Sequence, residues 1–352
     1  MIQPVSIAGR PIGPGHPPYV IAEMSANHLG QFDRALAIID AAKAAGADAV
    51  KMQTYTADTI TIDHDGPEFR IKGGLWDGRT LHDLYREAHT PWDWHPRLFA
   101  HAREIGITLF SSPFDATAIE LLQSLGAPAF KIASFEIVDI PLIQRAAATG
   151  KPLVISTGMA GMPEIEEAVA AARGAGNGGI VLLHCVSGYP TPPEDSNLFR
   201  LRTLAERFDV LVGLSDHTMG TACAVAAVAL GAVAIEKHLT LRRADGGPDG
   251  AFSLEPEEMK TLVTESRTAF AALGTGRDAR APSESGNALF RRSLYVVRDV
   301  AAGEAFTAEN VRSIRPGLGL PPKHLPDVLG RKAARAVKRG TPLAWDLVAP
   351  KP

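Results

Sequence analysis

YVIAEMSANHLGQFDRALAIIDAAKAAGADAVKMQTY, residues 19–55, decides the fold. It opens on a β-branched run, YVIAEM (19–24), and passes through DRALAIIDAAKAAG (33–46), an alanine-rich stretch with apolar residues at helical spacing. It ends on a second run, AVKMQTY (49–55). Strand, helix and strand in that order predict parallel strands joined by a helical crossover. The same alternation recurs down the chain with ITLFSSPF (107–114), FKIAS (130–134), LVISTG (153–158), IVLLHCVS (180–187), LVGLSDHT (211–218) and AIEKHLTL (234–241). Helix candidates such as 164–176 and 221–231 lie between them. Eight units of this kind predict a (β/α)8 TIM barrel. A doubly wound open sheet is the competing reading, but no GxGxxG follows the first strand.

The remainder of the 352 residues fits around that barrel. The gap from 56 to 91 is too long for a plain βα loop and reads as an elaborated connection able to cover an active site. After residue 273 comes GTGRDARAPSESGN, of linker composition, and then short strands, tight Gly turns and a capped turn at TAEN. The expected organisation is a barrel over 1–277, a linker over 278–290 and a small, mostly β domain over 291–352.

Composition narrows the function. Hydrophobic residues make up 45% and charged residues 21%, with 36 basic side chains against 39 acidic ones, so no global basic field exists to hold nucleic acid or a membrane. Two cysteines, Cys185 and Cys223, are too few for a disulfide framework and fit a reducing cytoplasm. No charged region followed by an apolar stretch opens the chain, so no secretion signal is expected. CAVAAVALGAVAI (223–235) is too short to span a bilayer and reads as a buried helix running into a strand.

Polar residues gather at the C-terminal ends of the expected strands, the catalytic face of such barrels. Alternation puts Glu23, Ser25 and Asn27 on one face, and likewise Lys51 with Gln53, Ser215 with His217, and Glu236 with His238. Charges turned inward on neighbouring strands are costly unless paired or holding a ligand. His217 and His238 lie on adjacent strands and can reach one metal. Two neutral nitrogens with open positions suit an exchangeable octahedral ion such as Mn²⁺, with Mg²⁺ or Co²⁺ as alternatives, better than zinc. Lys51 and Lys131, with Ser112, Ser134, Ser156, Ser187 and Ser215, form a candidate pocket for a small polyanion. A Schiff-base lysine is the competing chemistry, and an ion pair with Lys51 or Lys131 is the competing role for Glu23.

The chain resembles a known family in IAEMSANHLG (21–30), VKMQTYTADT (50–59), SSPFD (111–115), FKIASFEI (130–137), GLSDHT (213–218), IEKHLTL (235–241), GGPDGAFSLEP (246–256) and RSIRPGLGL (312–320). These are similar to motifs of the sialic acid synthases, which condense phosphoenolpyruvate with an amino sugar and carry a C-terminal antifreeze-like (SAF) domain. LWDGRTLHDLYREAHTPWDWH (75–95) and KIASFEIVDIPLI (131–143) look most like the pseudaminic acid subgroup. Gly250 stands where synthases of N-acetylneuraminic acid usually have histidine, and Ser187-Gly188 replaces their asparagine or threonine before Tyr-Pro. Leu29 departs from the family's NHNG loop.

The resemblance implies a role for each matched residue. His217 and His238 would bind Mn²⁺; Lys51, Ser112, Lys131, Ser134, Ser156, Ser187 and Ser215 would hold phosphoenolpyruvate; Glu23 would act on the reacting carbons. Gln53, Tyr189 and Asp249 would contact a diacetamido sugar, and Arg315 would reach the barrel of a second subunit in a domain-swapped homodimer. Legionaminic or N-acetylneuraminic acid synthesis is the alternative within the family. A non-catalytic sugar or anion sensor is the alternative outside it. Ice binding by the C-terminal domain is disfavoured by Arg331, Lys332, Arg335, Lys338 and Arg339, a strongly hydrated set.

Overall fold

The computed structural model describes residues 3–176, 178–276, 278 and 280–351, so the domain boundary expected after residue 277 lies outside the described residues. Eight parallel strands close into a barrel in chain order. They are β1 Tyr19–Glu23, β2 Ala49–Thr54, β3 Thr108–Pro113, β4 Phe130–Ile132, β5 Leu153–Ser156, β6 Ile180–Cys185, β7 Leu211–Asp216 and β8 Ala234–His238. β8 pairs back onto β1 and closes the ring. All eight strands lie where the alternation of the sequence predicts them.

The helix Phe32–Ala45 shows why each crossover folds as it does. Ala35, Ile38, Ile39, Ala42 and Ala45 recur at helical spacing and are buried against the barrel. Asp33 sits in the first turn and Lys43 in the last, matching the helix dipole, and Gly46 ends the helix at φ 83. The outward strand residues Val20, Ala22, Val50, Met52, Ile132 and Ile155 pack into the same layer.

Inward residues form a second core. Tyr19, Ile21, Ala49, Phe110, Val154, Val181, Leu183, Leu211 and Ala234 fill the N-terminal part of the barrel. A hairpin, Val5–Ile7 against Arg10–Ile12, joins this cluster through Val5, Ile7 and Ile12. The barrel end away from the catalytic face is thus sealed with hydrocarbon.

The connection after β2 is structured. It carries short helices over Ala57–Ile60 and Leu81–Ala88, the second capped by Thr80, and returns through His95–Ile105. A second compact unit covers Thr275–Pro352. Its antiparallel pair is β9 Ser293–Val296 with β10 Val311–Ile314, around a core that includes Leu294, Val296, Phe306, Val311, Val337 and Leu343. Within the stretch expected to be linker, Pro282–Phe290 forms a 3-10 helix opened by Pro282, whose fixed φ suits a first helical position. Lys332, Arg335, Lys338 and Arg339 are exposed in this unit and Arg331 is half-buried.

Candidate active site

Strand register places the charged residues in one ring. His238 is level with Glu23, and Glu23 with Lys51. The Lys51 ammonium lies 3.1 Å from Glu23 Oε2 and 3.1 Å from Glu236 Oε1, while Lys131 Nζ is 3.8 Å from the same Glu236 oxygen. The ion pair named as a competing role for Glu23 therefore exists. Two ammoniums and two carboxylates balance one another, so the ring is tolerable without substrate yet can rearrange around an added anion. Glu236, given no role from the sequence, is the bridge between the lysines; its alternation with His238 was the available signal.

Burial shapes the protonation of this ring. It pushes the Glu23 carboxyl up to about 7, against Lys51 and with help from Glu236. Burial pulls Lys131 down to about 8, with Glu236 opposing. For Lys51 burial works the same way, but Glu23 and Glu236 outweigh it and hold the ammonium above its usual range. Glu236 is opposed by burial and held low by Lys131 and Lys51.

Beside the lysines lies a set of hydroxyls with unused capacity. Among the described residues, Ser156 Oγ and Ser187 Oγ are buried without a hydrogen-bond partner. Ser112 Oγ is 3.5 Å from Lys51 Nζ, and Ser215 Oγ donates to Glu236 at 3.2 Å. Gly158 N–H donates to Ser134 Oγ at 3.2 Å. A Cβ at Gly158 would fall 2.6 Å from Ser134 Oγ and would also collide with Ser187 Oγ. This space is kept open by glycine, with unpaired donors around it and ammoniums alongside, which is the chemistry of an oxyanion cradle.

His217 Nδ1 lies 2.9 Å from the Val186 carbonyl, which requires the proton there and leaves Nε2 as the free lone pair. Burial opposes protonation of His217, while Cys185 and the Val186 carbonyl hold it above its usual range. His238 packs 5.4 Å away, centroid to centroid. Its Nδ1 is buried without a hydrogen-bond partner among the described residues, 3.9 Å from Asp249 Oδ2, and burial with nearby cations keeps the ring neutral. Among the described residues no three His, Cys, Asp or Glu side chains gather into a metal cage. The donor set fits an ion held by two imidazoles and completed by water or substrate oxygens. On the outer face of the same strands, Lys237 Nζ donates to Asp216 Oδ2 at 2.6 Å and to Thr218 O at 2.5 Å, bracing the residues on either side of His217.

Gln53 Nε2 donates to Glu23 Oε1 at 2.9 Å and to Ser25 Oγ at 3.0 Å, and Ser25 Oγ donates to Asp249 Oδ2 at 2.5 Å. The Tyr189 ring lies 4.5 Å from that of His217. These groups border a cavity of about 480 Å³, a size for small-molecule ligands. Lys51, Gln53, Lys131, Ser134, Ser156, Tyr189, Ser215, His217, His238 and Asp249 line it; Glu23, Ser112 and Ser187 are not in its lining. Glu136, in the turn after β4, lines it too, with one oxygen buried and unpaired and its carboxyl pushed by burial up to about 7. Sequence reading missed Glu136 because it stands outside the strand alternation. Arg315 belongs to the second unit, directly after β10.

With this geometry in place, comparison with known proteins is specific. The family model described as NeuB family matches residues 38–278, and that of the SAF domain matches 291–349. The chain is 44% identical over 331 residues to the pseudaminic acid synthase of Helicobacter pylori, covering 94% of this chain and 97% of the relative. It is 36% identical to the N,N'-diacetyllegionaminic acid synthase of Legionella pneumophila, covering 96% of both. A crystal structure of N-acetylneuraminic acid synthetase from Leptospira borgpetersenii, in complex with citrate, superposes with TM-score 0.73 at 33% identity, over 82% of this chain and 95% of that one.

Proposed function

The chain belongs to the NeuB family, and from that premise we propose that it is a pseudaminic acid synthase, a transferase condensing phosphoenolpyruvate with 2,4-diacetamido-2,4,6-trideoxy-L-altrose. The observation that carries the reading is an ionic ring set beside buried hydroxyls that have no hydrogen-bond partner among the described residues, at one end of the barrel. Lys51 and Lys131 supply charge to phosphate and carboxylate, and Ser134, Ser156 and Ser187 fix oxygens around Gly158. Gln53 and Asp249 hold polar groups of the open-chain sugar, and Tyr189 packs beside them.

The enol carbon forms the new carbon–carbon bond to the aldehyde carbon. Water then adds at the phosphate-bearing carbon, and phosphate leaves with its bridging oxygen. Glu23, poised near neutrality and held by Gln53 and Lys51, takes the proton from the attacking water or stabilises the cation before it. His217 and His238 would hold a divalent ion, Mn²⁺ in our reading, which when bound polarises the aldehyde oxygen. Lys51 is a poor Schiff-base nucleophile here, since two carboxylates keep it protonated. We also propose that Arg315 of a second copy reaches an N-acetyl group of the sugar, in a cytoplasmic, domain-swapped homodimer.

Inorganic phosphate release from phosphoenolpyruvate tests the proposal, run with the altrose-type sugar, its legionaminic-pathway counterpart and N-acetylmannosamine in parallel. We expect release with the altrose-type sugar, lost on chelation and restored by Mn²⁺. Release with another sugar only would move the substrate, and release with none would remove the enzyme assignment.

A further inference from the structure

We propose that the connection 56–91 forms an apolar wall that recognises the end of the acceptor sugar remote from its aldehyde, selecting a methyl group there over a hydroxymethyl group. This deepens the function proposed above and rests on it.

The lining of the cavity divides by origin. Strand ends and the turns after them supply most of its ammonium, carboxylate, hydroxyl and imidazole groups, whereas the connection supplies Ile60, Ile71, Leu81 and Leu84, none able to hydrogen-bond through its side chain. Two polar-tipped side chains come from the connection. Trp76 donates its indole N–H to Pro248 O at 3.0 Å and lays its ring 5.6 Å from Tyr189, so its one donor is engaged by the protein. Tyr85 packs its ring 5.8 Å from Tyr55.

The wall is built rather than loose. Thr80 caps the helix Leu81–Ala88, Arg79 pairs with Asp83 and Glu87, and Trp92 donates to Tyr55 O at 3.2 Å. The Trp76–Pro248 bond ties the connection to the residue before Asp249, a group already placed at the sugar.

Orientation follows from the chemistry. The aldehyde must lie at the strand ends, within reach of Glu23 and the two histidines. The acceptor's remaining carbons then extend away from the barrel floor, toward the side of the cavity formed by the connection. A methyl group buries well against Ile60, Ile71, Leu81 and Leu84, whereas a hydroxyl set against these four side chains loses its water without gaining a partner from them. Discrimination from such a wall is roughly 10- to 100-fold in kcat/KM.

The test measures kcat/KM for two acceptors identical except at C6, one 6-deoxy and one 6-hydroxy, on the wild type and on Ile71→Thr and Leu81→Gln. The wild type should prefer the 6-deoxy sugar roughly 10- to 100-fold. Each variant should narrow that ratio several-fold, with KM for phosphoenolpyruvate unmoved. A wild-type ratio near one, or ratios unchanged in both variants while circular dichroism shows them folded, would overturn the wall. The pair is prepared for whichever acceptor supports turnover, so loss of the altrose assignment is read separately, from which acceptor works at all.

Discussion

The two ends of the barrel interior are made by the same eight strands and have opposite chemistry. On β7, inward Leu211 sits in hydrocarbon, while Ser215, four residues on, bonds to Glu236. On β1, Tyr19 and Ile21 pack in the apolar cluster, and the next inward residue is Glu23. A few residues further along these strands, cohesion gives way to reactivity. A rigid, dry floor lets charges be held close together above it, where unpaired donors and shifted acidities are sustained by burial and not by flexibility.

The largest effect that would sharpen this contrast is at Glu23. Glu23→Gln should reduce turnover at least about 10³-fold in a variant that circular dichroism shows folded; phosphate release at the wild-type rate would remove its role. On the outer face of the same strands, Lys237→Met strands the buried Asp216 carboxylate and should cost about 3–5 kcal/mol by denaturant titration. At the floor, Leu211→Ala should cost about 2–5 kcal/mol while kcat/KM per folded molecule stays as in the wild type. A catalytic defect at Leu211 would break the division between the two ends.

Smaller effects concern the cradle and its titration. Gly158→Ala crowds Ser134 and Ser187 and should raise KM for phosphoenolpyruvate by about 10-fold with kcat less affected. The pH profile of kcat/KM should rise as Glu23 ionises near 7 and fall as Lys131 loses its proton near 8. The sign follows from the charges required: protonated Glu23 cannot take a proton from water, and neutral Lys131 cannot attract phosphate. A flat profile between pH 6 and 9 would contradict both assignments.

The strands were legible because parallel strands buried on both faces read as continuous apolar runs, and the helix Phe32–Ala45 because its apolar residues keep a 3.6-residue period. Glu23, Lys51 and His238 were legible from alternation alone. The lysine bridge through Glu236 was not, since which carboxylate meets which ammonium depends on the stagger of strands around the ring. Gly158 carried no signal either: its importance is a space between Ser134 and Ser187, which follow different strands. The connection 56–91 lacks a period, so its length was readable and the apolar side it presents was not. Lys237 and Asp216 point outward from adjacent strands, a pairing visible only once β7 and β8 are in register.

In the proposed reaction the ionic end joins an enol phosphate to an aldehyde and expels phosphate by carbon–oxygen cleavage. Phosphoenolpyruvate labelled with ¹⁸O at the bridging position tests it most directly, by mass spectrometry of the products after turnover with the altrose-type sugar. Carbon–oxygen cleavage puts the label in inorganic phosphate. Label retained in the sugar acid would mean phosphorus–oxygen cleavage and would contradict it.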